Sequence, residues 1–110
     1  MKLFDVKLLT ITCEILAQKN ILEILNKHGI TGYTLYEVDG NGSKGIRGKG
    51  FKNEKNVKIE IISTETRLKD IVEEITRSLF SDFAIILYLS DIQVLRPKNL
   101  FKIQQYNWIL

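Results

Sequence analysis

One cysteine, one histidine and one proline occur among the 110 residues, and each scarcity removes a class of reading. A lone Cys13 has no partner for an internal disulfide, which fits a reducing compartment. With His28 as the sole imidazole, a structural zinc site built from nitrogen and sulfur ligands has too few donors. A metal held by carboxylates alone has no motif behind it. Long apolar runs are missing too, so no segment is expected to cross a bilayer. The opening Met-Lys-Leu-Phe-Asp lacks the apolar core of a signal peptide. What remains is 45% hydrophobic and 26% charged, the mix of one folded domain spanning 1–110.

Glycine is sparse as well, outside one stretch. All seven glycines fall between Gly29 and Gly50. Residues 41–58 also hold six cations (Lys44, Arg47, Lys49, Lys52, Lys55 and Lys58) against the single carboxylate of Glu54. That segment is +5 while the whole chain is +3, so the basic character belongs to it. Dense glycine exposes backbone N–H groups at close range, and Ser43, Lys44 and Arg47 add a hydroxyl and two cationic donors. Arginine grips a phosphate through two parallel hydrogen bonds, whereas lysine offers a point charge. The chemistry suits an anion, most often phosphate. A solvated basic loop and a nucleic-acid contact are the competing readings. Gly40-Asn-Gly-Ser-Lys-Gly-Ile-Arg47 has the wrong spacing for a Walker A loop and the wrong setting for a dinucleotide fingerprint.

Patterning places this segment between two strands. Leu3–Thr12 reads as a strand with Phe4, Val6 and Leu8 on one face. From Glu14 to His28 the positions Ala17, Ile21, Ile24, Leu25 and His28 follow helical spacing, with Gly29 as the stop signal. Tyr33–Val38 is a second strand and Val57–Ile62 a third, alternating as a half-buried strand does. Ser63 or Thr64 caps a second helix, whose stripe is Leu68, Ile71, Val72, Ile75 and Leu79. Phe83–Leu95 is a last strand, apolar on both faces up to Leu89, which implies a central position or a face covered by another subunit. Pro97 ends regular pairing. The order β-α-β-β-α-β predicts an α+β, ferredoxin-like fold, a four-stranded antiparallel sheet with two helices on one face. The tail 97–110, with Phe101, Tyr106 and Trp108, packs on the sheet, on a neighbouring subunit, or on a partner.

Two other functions compete on chemical grounds. An RNA-binding module of this topology needs stacking aromatics on its first and third strands, and Val57-Lys-Ile-Glu-Ile-Ile62 has none. An enzyme would draw on His28, Cys13 or the Glu73-Glu74 pair. The simpler readings are a packing histidine at a helix end, a buried thiol and a solvated helix face.

The order of elements, with Thr31-Gly-Tyr-Thr34 followed by Gly40-Asn-Gly-Ser-Lys-Gly-Ile-Arg47, resembles the PII-like signalling proteins. The nearest likeness is to the branch that regulates the sodium-dependent bicarbonate transporter of cyanobacteria. It runs from residue 3 to about 95 and is most specific over 29–48 and at Asn56-Val-Lys-Ile-Glu60. The resemblance implies a non-enzymatic homotrimer without covalent cofactor. Each cleft between subunits would bind an adenine nucleotide (cyclic AMP, AMP, ADP or ATP). Residues 39–56, approximately, would be the mobile T-loop that reports to a partner, a membrane bicarbonate transporter. The protein would be cytoplasmic, reach the membrane only through that transporter, and bind no nucleic acid. Carried over by position, Gly40, Gly42 and Ser43 contact phosphate, Lys44 stands where that branch has Arg, and Arg47 matches its second Arg. Asn41 replaces a usual Lys, Ile85 stands where Gly often lies beside the adenine, and Ile59 completes the nucleotide-binding set. The branch's cysteine-bounded C-terminal extension and the tyrosine that is uridylylated in PII proteins have no counterpart here.

Overall fold

The computed structural model describes residues 2–40 and 55–96. Strand β1 (Lys2–Glu14) leads through a 3-10 turn at Ile15–Ala17 into helix α1 (Gln18–Lys27). Strands β2 (Thr34–Val38) and β3 (Asn56–Ser63), helix α2 (Glu65–Leu79) and strand β4 (Ile85–Arg96) follow. All pairings are antiparallel in the order β2-β3-β1-β4. The expected ferredoxin-like arrangement is the one adopted.

Side chains alternate along a strand, so register assigns the faces. Leu9, Ile11 and Cys13 lie opposite Ile61, Ile59 and Val57 on β3, and opposite Leu89, Leu87 and Ile85 on β4. This face receives the helices. Ile21, Ile24 and Leu25 of α1 and Leu68, Ile71, Ile75 and Leu79 of α2 join Leu9, Ile11 and Cys13 in one core. Each buried aliphatic side chain contributes about 1.5–3 kcal/mol, against about 0.3–0.5 kcal/mol for an exposed helix ion pair. The stripes, not the surface charges, therefore seat the helices.

Phe4, Val6 and Leu8 do share a face, but it is the one turned away from the helices. On that open face Ile86 is 62% exposed, Tyr88 45% and Tyr36 39%. Strand β4 is an edge strand rather than a central one. Its doubly apolar sequence thus puts exposed apolar side chains on this second face, although Val6 and Thr10 of β1 are buried there. Its start also differs from expectation, since pairing begins at Ile85 and not at Phe83.

The first helix begins later than its apolar spacing suggests. Glu14 is extended (φ −65°, ψ 151°) and still pairs with Asn56, so the strand runs through it. At the far end Gly29 takes φ +79°. Its N–H donates to the Asn26 carbonyl at 3.0 Å, and the Ile30 N–H donates to the Leu25 carbonyl at 2.8 Å, closing a Schellman turn. A Cβ here would lie 3.3 Å from an Arg67 guanidinium nitrogen, so this glycine serves the helix end. In α2 the cap is Thr64, whose Oγ1 accepts from the Arg67 N–H at 3.4 Å.

The Glu73-Glu74 pair divides. The Glu73 side chain is 80% exposed, as a solvated face requires, but that of Glu74 is only 13% exposed. Its two oxygens accept from Lys27 Nζ and His28 Nε2, both at 2.8 Å, tying the end of α1 to α2. Arg67 completes the tie by donating to the His28 carbonyl at 3.1 Å. The hydrogen bonds from Lys27 and then His28 hold the Glu74 carboxyl below the ordinary glutamate range. A depressed native pKa stabilises the fold above the unfolded pKa, and this is lost as pH falls through the native value. Urea midpoints of the parent are therefore expected to drop from about pH 5 downward, and Glu74→Gln to flatten that acid limb. Equal acid slopes in both chains would refute the assignment.

Candidate functional site

The basic glycine-rich segment leaves and re-enters the sheet at one end, and four stretches of chain meet there. Val38 and Glu14 both pair with Asn56, while Cys13 pairs with Ile85. The Ile15 N–H donates to the Lys55 carbonyl at 3.0 Å, and the Glu14 N–H to the Ala84 carbonyl at 3.1 Å. Glu14 answers with its side chain. Its Oε2 accepts from the Ala84 N–H at 2.7 Å, and the residue is 5% exposed. A single carboxylate thus clamps the turn before β4 against the strand end beside the feet of the segment. Replacing Glu14 by alanine leaves a part-buried N–H without its acceptor, a loss of about 1–3 kcal/mol. Faster amide exchange at Ala84 and a lower urea midpoint are expected; an unchanged Ala84 exchange rate would count against the clamp.

The electrostatics of the described part are acidic. Glu14, Glu37 and Asp39 lie at this end together with Lys55, whose Nζ lies 3.4 Å from Glu37 Oε1. A phosphate near these feet needs positive charge from the segment between them, where Lys44 and Arg47 lie in sequence.

Of the residues expected to bind nucleotide, Gly40 follows β2 as an exposed residue at this end, and Ile85 opens β4 half-buried across from Cys13. The structure brings these two to the same end of the sheet. Ile59 lies elsewhere: it is fully buried in the core beneath the helices, and its side chain presents no surface. Asn41, Gly42, Ser43, Lys44 and Arg47 lie outside the described residues. Sequence reasoning passed over Glu14, reading it as a helix start. The one available signal was an acid closing a run of β-formers, immediately before the apolar Ile15-Leu-Ala17.

Nothing else among the described residues forms a reactive set. No group of three His, Cys, Asp or Glu side chains could hold a metal ion. Burial, with the neighbouring Glu14 charge adding to it, pushes the Cys13 thiol up to about 11, so it is no thiolate at neutral pH. His28 is engaged at the helix junction. On the open face β3 carries only Lys58, Glu60 and Ile62, and the one aromatic of β1 there, Phe4, lies past the last β3 pairing at Lys7–Ser63, so the two central strands do not pair aromatics into a platform for bases. No described helix is long and apolar enough to cross a membrane.

This ferredoxin-like sheet is shared with solved PII-like signalling proteins. A PII-like signaling protein from Thermus thermophilus superimposes with a TM-score of 0.70 at 32% identity, over 86% of this chain and 94% of that one. CPII from Thiomonas intermedia, a nitrogen regulatory PII-like protein solved with ADP, AMP and bicarbonate, matches at 26% identity and TM-score 0.72, over 87% and 99%. CPII solved with ADP and bicarbonate matches at 26% and 0.72, over 87% and 94%. The family model of nitrogen regulatory protein P-II matches residues 6–99, and the chain belongs to that family.

Proposed function

We propose that the chain is a non-enzymatic, trimeric sensor that binds an adenine nucleotide where residues 41–54 leave the sheet, and signals its occupancy to a partner. The convergence of Gly40, Lys55, Asn56, Glu14 and Ala84 at one sheet end carries this reading. It places the feet of the most basic segment beside the turn that opens β4. ADP, AMP and bicarbonate in the related CPII support the choice of ligand class. Gly40, Gly42 and Ser43 would meet phosphate oxygens, Lys44 and Arg47 would balance their charge, and Ile85 would border the base. Asn41 makes this a less charged grip than a lysine would. Ile59 would act only from behind, as core beneath that wall. A ligand that favours one arrangement of the segment shifts its population and so changes what the protein binds.

The exposed Ile86, Tyr88 and Tyr36 support a homotrimer, since further copies bury them without a new partner. By resemblance the target would be a membrane bicarbonate transporter, met from the cytoplasmic side. Titration calorimetry with AMP, ADP, ATP and cyclic AMP, on protein of measured mass, tests the reading. Saturable heat from at least one of them is expected. No heat from any at millimolar concentration would sink it.

A further inference from the structure

Beyond the point where β3 ends, β1 and β4 run on as a two-stranded ribbon, Lys2–Val6 against Ile92–Arg96. Between this ribbon and the N-terminus of α2 lies a groove lined by Asp5, Lys7, Thr64, Glu65, Asp91 and Gln93. It sits at the opposite end of the sheet from Gly40 and takes no part in the site described above. Its charge is unbalanced. Three carboxylates line it against the single amine of Lys7, which pairs with Asp91 and lies 3.6 Å from Glu65 Oε1. Lys69, reaching Glu65 at 3.9 Å from the next helical turn, offsets only part of the excess. Its flanks are apolar. Leu3 pairs with Leu95 and Leu9 with Leu89 on the same face as the Lys7–Asp91 and Asp5–Gln93 pairs. Leu3 is 55% exposed, Leu95 57% and Leu89 43%.

The 14 residues that follow Arg96 carry the complementary chemistry. They hold Lys98 and Lys102, no Asp or Glu, and the apolar side chains Leu100, Phe101, Ile103, Tyr106, Trp108, Ile109 and Leu110. Reach is ample. Asp91 lies five strand residues before Arg96, about 17 Å, whereas the segment extends to about 46 Å. Pro97 has no N–H with which to continue the ladder with β1. Tethering also gives the segment an effective concentration near the millimolar range, so modest contacts suffice.

We infer that the groove between the ribbon and α2 is the docking site of the chain's own segment 97–110. The lysines meet Asp5, Glu65 and Asp91, and the aromatic residues cover Leu3, Leu89 and Leu95. This stands independently of nucleotide binding.

Trp108 is the only tryptophan and reports directly. In the full chain its emission is expected to be blue-shifted and shielded from acrylamide and iodide. Lys98→Glu with Lys102→Glu, which alters none of the described residues, should release it, raising the quenching constant severalfold toward that of free indole. Glu65→Lys with Asp91→Lys should release it as well, and combining the two reversed pairs should restore shielding. A Trp108 as accessible as free indole in the parent overturns the proposal. So does shielding indifferent to the tail reversal. Shielding that vanishes on dilution, as copies separate, would assign the segment to a neighbouring copy and equally overturn it.

Discussion

Ile86→Glu is expected to reduce the proposed trimer to single chains while leaving the fold intact. Ile86 is 62% exposed, so the isolated domain loses nothing when it becomes polar. In a trimer built on the open face, the same carboxylate would be buried without a partner in every copy. Burying an unpaired charge costs several kcal/mol, more than one interface side chain returns. Light scattering should therefore give the mass of one chain, with unchanged far-ultraviolet circular dichroism. If the proposed nucleotide site lies in a cleft between subunits, nucleotide heat should vanish with it. A trimer that survives the substitution would remove the open sheet face from the interface.

The second large effect falls on Arg47. A charge-assisted hydrogen bond is worth about 1.5–3 kcal/mol, so Arg47→Ala should weaken the proposed nucleotide binding, read with ADP, by about 10- to 150-fold. The acidic feet at Glu14, Glu37 and Asp39 sharpen the dependence, since they repel a phosphate that the segment no longer neutralises. Lys44→Arg and Asn41→Lys should act in the opposite sense, the first by adding a fork geometry and the second by adding charge. Isothermal titration of the three variants orders them. An Arg47→Ala chain that binds ADP as the parent does would place the phosphate elsewhere.

Features legible from the sequence were those whose cause is local. Gly29 announced a helix end because a positive φ excludes a side chain, and Ser63-Thr64 announced a cap, which Thr64 supplies because its hydroxyl reaches the next turn. The stripe Leu68, Ile71, Ile75 and Leu79 needed only helical geometry to declare a buried face. The features that escaped depend on partners far along the chain. Glu14 stays in the strand because of Asn56 and the turn at Ala84, 70 residues away. Glu74 leaves solvent because Lys27 and His28 end another helix beside it. The same holds for β4, whose apolar letters carry no mark of whether a strand is central or merely waiting for cover. At the candidate site, the residue types of the basic segment were readable, but the clamp that anchors its feet was not.

That anchoring has a consequence for variation. Val38 and Asn56 are cross-strand neighbours, so the span between the two feet is set by the sheet, whatever the intervening chain contains. Doubling the length of such a connection costs only about 0.6 kcal/mol in closure entropy. The segment is an exchangeable cassette on a fixed socket, and lineages could rewrite the message it delivers without renegotiating the fold that holds it.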